Sequence, residues 1–150
     1  MLQDRFVPPA GAFTRSVTVR FSHCDPAGIV YFPHYFDMFN GVIEDWYTEE
    51  LGYDYSELIM GSQFGFPFVH IDCDFKIPSR MGDVIELTLL VERIGNSSLR
   101  IAIVCHHEGM ERLRAHMVTA MMSLETRKPV PLPDALRGKI EAYRRKTARA

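Results

Sequence analysis

One change of hydrophobic period constrains this chain more than any other feature. From about Pro33 to Gly52, apolar side chains recur at helical spacing. Tyr35, Phe39, Val42 and Trp46 fall at i, i+4, i+7 and i+11, and Phe36, Ile43 and Tyr47 widen the stripe. Asp37, Glu44 and Thr48 lie opposite. Beyond Gly52 the period drops to two in "FPFVHIDCDF", "VIELTLLVER", "SLRIAIVCHH" and "LRAHMVTAMMSL". A striped helix and one-sided strands each need a partner, and packing one on the other is the economical solution. "SVTVRF", Ser16 to Phe21, adds a strand before the helix, and Pro133 to Arg149 reads as a basic helix at the end. The joints "PSRMGD", "IGNSS" and "HEGMER" are short and carry turn chemistry, which predicts four consecutive strands in an antiparallel meander. A helix of about 17 residues spans ~25 Å, and strands of 8–10 residues span ~27–34 Å. One helix can therefore lie along one curved sheet. The fold class is α+β, in the order β–α–β–β–β–β–α.

A chain of 150 residues suits a single domain over 1–150 with a core that needs no staples. Residues 1–14, rich in Pro, Gly and Ala, read as a loose N-terminal arm. No apolar run approaches the ~20 residues of a membrane span. "MLQDRFVPPAGAF" has neither a basic n-region nor an apolar h-region. Three cysteines without CxxC spacing suit neither a disulfide framework nor a zinc site, so a reducing cytoplasm is the expected home. Charge is uneven: residues 1–126 hold nine basic and 17 acidic side chains, residues 127–150 eight and two. The basic tail is either a solvated helix face or a strip for a polyanion. Nucleic acid is poorly supported, because no stacking aromatics are interleaved there. A phosphate-rich small molecule stays open.

The stretch "HCDPAGIVYFPHYF", His23 to Phe36, sets an acid in a turn between the first strand and the long helix. "CDPAGIVYFPHYF" before a helix, with "FKIPSRMGD" before a strand, resembles the 4-hydroxybenzoyl-CoA thioesterase family of hotdog-fold enzymes. It is also similar to the Tol–Pal-associated acyl-CoA thioesterases. The resemblance covers roughly residues 16–146 in element order and is specific over Asp25 to Tyr35. It implies a hotdog fold, a homo-oligomer (a dimer with sheets joined edge to edge, usually paired into tetramers), and an active site at the subunit interface. It places the catalytic aspartate at Asp25.

The chemistry fits those residues. Attack on a thioester carbon needs a nucleophile or base and a hole for the developing oxyanion. A leaving thiol resembling cysteine, pKa about 8.5, departs with little acid assistance. An aspartate is ionised at neutral pH, so Asp25 can attack directly or activate water. N–H groups at a helix start are unpaired and sit at the positive dipole end, which makes those of Tyr31 and Phe32 the expected donors. The bland alternative is that Asp25 only forms an Asx turn. His34, in the first helical turn, is a candidate supporting residue. Tyr31, Phe32, Tyr35 and Phe39 can shape an aryl or acyl pocket, and Arg80, Arg127 and Lys128, at element ends, are candidate CoA phosphate contacts. His23 and Asn40 depart from the family pattern. Glu44 reads as a solvated face residue, and Cys24 as a buried, inert thiol. His70, Asp72 and Asp74 on one strand, with His106, His107 and His116 on neighbours, suit an exposed or interface sheet face better than a metal site. No metal and no cofactor are expected. The leading function is hydrolysis of a CoA thioester. A non-catalytic acyl-CoA-binding hotdog module and a hotdog hydratase or dehydratase are the alternatives.

Overall fold

The computed structural model describes residues 5–148. Strand β1 (Phe13–Thr18) leads through a 3-10 turn, Phe21–His23, to helix α1 (Phe32–Asp45). Pro33 lies in the first turn of α1, where its fixed φ suits a helix and its missing N–H costs nothing. The helix widens into a π turn, Trp46–Glu50, and the chain turns away at Gly52 with φ of 78°. Glycine enters that left-handed conformation without a Cβ clash. A second π turn, Glu57–Gly61, precedes β2 (Phe64–Gly65), β3 (Phe68–Phe75), β4 (Val84–Ile94), β5 (Ser98–His107), β6 (Met110–Ala120) and β7 (Met122–Ser123). Helix α2 (Asp134–Thr147) ends the described chain.

The main sheet is antiparallel with strand order β1-β4-β5-β6-β3, and β2 pairs separately with β7. This is the α+β hotdog arrangement that the resemblance implied. β4, β5 and β6 form the expected meander, but β3 does not join it through β4. It pairs with β6 instead, from Phe68 against Thr119 to Phe75 against Leu113. "PSRMGD" is therefore part of a crossing, not a hairpin. The N–H groups of Lys76 and Ile77 both donate to the Arg112 carbonyl, and Gly82 N–H donates to Val19. The segment so passes from the β3 edge to the far side of the sheet, where β1 fills the flank of β4. β1 starts at Phe13 rather than Ser16, and Phe21 falls in the 3-10 turn. The arm predicted to be loose is pinned over its described part. Phe6 is 4% exposed, donates its N–H to Gly109 at 2.9 Å and packs on His106 at 4.9 Å between ring centroids. Residues 1–4 lie outside the described residues.

The core sits between the sheet and the two helices. Alternate strand residues, among them Ile85, Leu87, Leu89, Ile101, Ile103, Leu113 and Met117, meet Met38, Phe39, Val42, Ile43 and Trp46 of the long helix. Each such side chain contributes about 1.5–3 kcal/mol. The packed face of α2 supplies Leu136, Ile140 and Tyr143. The Tyr143 hydroxyl is wedged into the β1–β4 ladder, accepting from Phe13 N–H at 2.8 Å and donating to the Leu89 carbonyl at 2.5 Å. Burial pushes this phenol up to about 12. Four cations of α2 are engaged in docking it. Arg137 donates to the carbonyls of Gly95 and Asn96, Lys139 to Leu51 and Arg144 to Glu92, while Lys146 pairs with Glu50. Four of the eight basic residues of the positive tail thus serve as a fastening, which weakens the reading of the helix as a strip for a polyanion.

At the other edge the sheet is uncovered. Ile71 and Phe75 of β3 lie opposite the core residues Met117 and Leu113, yet are 39% and 54% exposed. From the long helix Tyr35 reaches Phe75, at 6.1 Å between ring centroids, without covering it.

Candidate active site

The acid-bearing turn is a small hairpin sewn to the crossing segment. Asp25 N–H donates to Ile29 at 3.0 Å and Gly28 N–H to Asp25 at 2.9 Å. Gly28 has φ of 80°, which a side chain would resist. Val30 N–H donates to Ser79 at 2.9 Å and Met81 N–H to Gly28 at 3.2 Å. The Asp25 Oδ1 accepts from Ala27 N–H at 2.8 Å, so the Asx turn of the bland reading is present. It uses one carboxylate oxygen. Among the described residues the other has no hydrogen-bond partner.

Asp25 is half-buried between two open clefts, of about 510 and about 340 Å³. The larger is lined by Asp25, Val30, Tyr31, Phe32, Tyr35, Phe75, Lys76 and Ile77, and the smaller by Phe21, Cys24, Pro26 and Met81. The rings of Phe21, Tyr31, Phe32 and Phe75 are all exposed around the carboxylate, an apolar rim of the kind that marks a binding site.

The helix start corrects one expectation. Tyr31 N–H already donates to the His23 carbonyl at 2.9 Å, so it is not available to an oxyanion. Pro33 has no N–H, and that of His34 donates back to Tyr31 at 2.9 Å. Phe32 is the first helical residue, and its N–H has no acceptor within the helix. It is the donor left over at the positive end of α1.

The remaining candidates separate. Tyr35 lines the larger cleft, and its phenol is pushed upward by burial despite a hydrogen bond to Ser79. Phe39, one turn further on, is fully buried and stacks on Tyr35 at 6.3 Å. It is a core residue and not a pocket wall, because it lies at the centre of the helix stripe. His34 makes no hydrogen bond with Asp25; its ring lies 6.1 Å from that of His23 and 6.0 Å from that of Tyr31. Arg80 is exposed beside the turn, bridged to Ile29. Arg127 and Lys128 follow β7, by the Phe68 end of β3, whereas Asp25 is by the Phe75 end. A strand of that length spans about 25 Å, so one protomer does not bring these two cations to its own Asp25.

Lys76 was not singled out by sequence. It lines the Asp25 cleft and pairs with Glu111, which is 4% exposed. Burial raises the Glu111 carboxyl, but Arg114 and Lys76 outweigh this and hold it below its usual range. Only the position of Lys76 directly after Phe75 was visible; its partner lies 35 residues away.

A further cavity, of about 210 Å³, opens under the far half of α1. Its walls include Trp46, Tyr47, Tyr55, Phe66 and Phe68, with Asn40, Glu44 and Thr119 as polar groups. The Trp46 Nε1 is buried with no hydrogen-bond partner among the described residues. Burial, and then the nearby Glu44 carboxylate, raise the Tyr55 phenol.

Residues 19–140 match the sequence profile of the thioesterase-like superfamily. A 1,4-dihydroxy-2-naphthoyl-CoA hydrolase from Thermosynechococcus vestitus is 28% identical over 120 residues, covering 79% of this chain and 82% of its own. A 1,4-dihydroxy-2-naphthoyl-CoA thioesterase from Synechocystis superposes with a TM-score of 0.76 at 26% identity, covering 87% of this chain and 96% of its own. A thioesterase-superfamily structure from Jannaschia reaches a TM-score of 0.82 at 27% identity, covering 91% and 96%.

Proposed function

The chain belongs to the thioesterase-like superfamily, and from that premise we propose that it hydrolyses CoA thioesters of acyl or aryl acids. One observation carries the reading: Asp25, with a carboxylate oxygen to spare, and Phe32, with an N–H to spare, line the same apolar cleft. Asp25 takes a proton from water as the oxygen adds to the thioester carbon. The carbonyl electron pair moves onto oxygen, which Phe32 N–H stabilises. Collapse expels the CoA thiolate and leaves the free acid. Direct attack by Asp25 gives a mixed anhydride that water then opens, with the same products. Relatives named for 1,4-dihydroxy-2-naphthoyl-CoA make aryl thioesters the first class to test.

The uncovered β3 edge supports a dimer. A two-fold axis normal to the sheet pairs β3 with its copy antiparallel. Each Phe75 end then lies by the other copy's Phe68 end, which brings Arg127 and Lys128 of the partner subunit towards Asp25. With Arg80 of the same protomer they form a basic set for the CoA phosphates. Such dimers can pair into a tetramer in the cytoplasm. Light scattering should return at least twice the 17.2 kDa of one chain; a monomer at micromolar concentration would break this arrangement.

The Asx bond favours a second reading, in which Asp25 only shapes the turn and the cleft holds an acyl-CoA without cleaving it. The hydratase reading gains nothing, because His34 and Asp25 are not hydrogen-bonded. Thiol release from a panel of CoA thioesters separates these. Asp25→Asn keeps the turn but removes the charge, so kcat should fall at least about a hundredfold, or ~2.7 kcal/mol of barrier. Turnover within threefold of wild type would sink the catalytic reading.

A further inference from the structure

The hairpin that carries Asp25 has almost no core of its own. From Phe21 to Tyr31 only Val30 is buried. What holds the hairpin is the crossing segment, through Val30 N–H on the Ser79 carbonyl, Met81 N–H on that of Gly28, and the bridge between Ile29 and Arg80. That segment is no better anchored by apolar packing. From Lys76 to Asp83 the one buried residue is Ser79, which is polar, while Ile77 and Met81 are exposed. We propose that Arg112 is a positioning residue for thioester hydrolysis, fixing the crossing segment and through it the place of Asp25 relative to the start of α1. The proposal rests on the thioesterase reading and adds a residue that lines neither of the two clefts at Asp25.

Strand β6 is shaped to deliver this side chain. Cys105 pairs with Leu113 and His106 with Glu111, so Arg112 is the extra residue of a β-bulge. A bulge interrupts regular pairing and re-aims a side chain. The Arg112 carbonyl takes the N–H groups of both Lys76 and Ile77, at 2.9 and 3.0 Å. Its side chain, 15% exposed, gathers the rest of the segment. The guanidinium Nη1 donates to the Asp83 carboxylate at 2.9 Å, the Ser79 hydroxyl at 3.2 Å and the Pro78 carbonyl at 3.3 Å. The bond to Asp83 joins two ionised groups and is the strong member of the three. Moving the segment away would leave a mostly buried cation short of acceptors, which carries a penalty of its own.

Ser79 is where the lines meet. Its hydroxyl accepts from Arg112, its carbonyl accepts from Val30 of the hairpin, and the Tyr35 phenol of α1 is hydrogen-bonded to it as well. Asp83 closes the circuit. Its carboxylate also accepts from Arg80 N–H at 2.9 Å, and its carbonyl from Val19 N–H at 2.8 Å. Helix α1 is fixed independently by its buried stripe. Loss of Arg112 therefore frees the base and leaves the oxyanion donor in place. Misplacing a reacting group by about 1 Å can cost on the order of a hundredfold in rate.

Arg112→Gln should lower kcat about thirtyfold while KM stays within about twofold, because the cleft walls on β3 and α1 remain. Its melting midpoint should fall too, so kcat is read well below that midpoint, beside Tyr143→Phe, a destabilised variant outside the site. Arg112→Lys keeps the charge but not the planar fork of donors, and should lose about fivefold. The deciding measurement is a double-mutant cycle with Asp25→Asn. The double variant should turn over within about threefold of Asp25→Asn alone, because a base that is gone cannot be misplaced. Losses that multiply, a loss carried by KM, or an equal fall of kcat in Tyr143→Phe overturns the proposal. So does a folded Arg112→Gln protein with kcat within about twofold of wild type. If Arg112→Gln does not fold, Arg112→Lys takes its place in the cycle and is read in the same way. Where wild-type protein still releases thiol through Asp25 although the cycle fails, this inference alone falls. Absence of thiol release from any CoA thioester brings down the thioesterase reading, and this inference with it.

Discussion

The seam under α2 and the turn before α1 treat their polar groups in opposite ways. Along the seam, Arg137, Lys139 and Arg144 each reach a carbonyl, Lys146 reaches Glu50, and the Tyr143 hydroxyl both donates and accepts. At the turn, half of the Asp25 carboxylate and the Phe32 N–H are left over beside exposed rings. The first region answers the demand that buried polar groups be paired. The second keeps polar groups in reserve for something that is not the protein. Substitution should therefore damage stability at the seam and turnover at the turn.

Asp25→Asn should give the largest effect, the hundredfold loss already set out, with a melting midpoint that holds or rises because an active-site charge often costs stability. A fall of the midpoint in step with activity would place Asp25 with the seam. Tyr143→Phe is its mirror image. It leaves the Phe13 N–H and the Leu89 carbonyl buried without their bridge, at about 2 kcal/mol, or a midpoint lower by about 4–8 °C. The kcat should not move, and a drop in kcat at unchanged stability would tie α2 to the chemistry.

Acid tests one of the structural groups. The Asp83 carboxyl is held below its usual range by the Arg80 N–H and, against some desolvation, by Arg112. A carboxyl depressed in the folded state stabilises above its unfolded pKa, near 3.9, and that stabilisation is lost as pH falls through the folded value. Asp83→Asn should therefore melt earlier than wild type at pH 7, and the gap should close below about pH 4. A gap independent of pH would mean that the carboxylate charge is irrelevant. The smallest effect belongs to Arg127→Gln and Lys128→Gln. KM for CoA thioesters should rise several-fold at steady kcat, while thioesters lacking the nucleotide notice nothing. Equal losses on both substrates would assign these cations to structure.

Much of the site was legible as local pattern. An acid followed by Pro and Gly, just before a striped helix, located the turn and an aromatic pocket beside it, but not the second cleft. The same pattern could not show that Tyr31 N–H is engaged by His23, eight positions earlier, because that bond depends on how the hairpin folds back. Nor could it show that Phe39 is sealed in the core while Tyr35, one turn before it, borders the cleft. Both lie on one stripe and both are buried, so only the tertiary packing decides which of them borders a cleft.

The sequence by itself determined the element types, the meander of β4 to β6, the helix-on-sheet class and the place of Asp25. Periodicity, turn chemistry and capping act within a few residues, and such preferences are written into the chain where they operate. The tertiary structure alone decided that β3 leaves the meander to lie at an edge, that Lys76 meets Glu111, and that Tyr143 bridges two strands from 54 and 130 residues away. It also set Arg127 and Lys128 at the far end of that edge from Asp25. These are contacts between distant segments, selected by which packing buries the most apolar surface while leaving the fewest polar groups unpaired, and no local pattern carries that comparison.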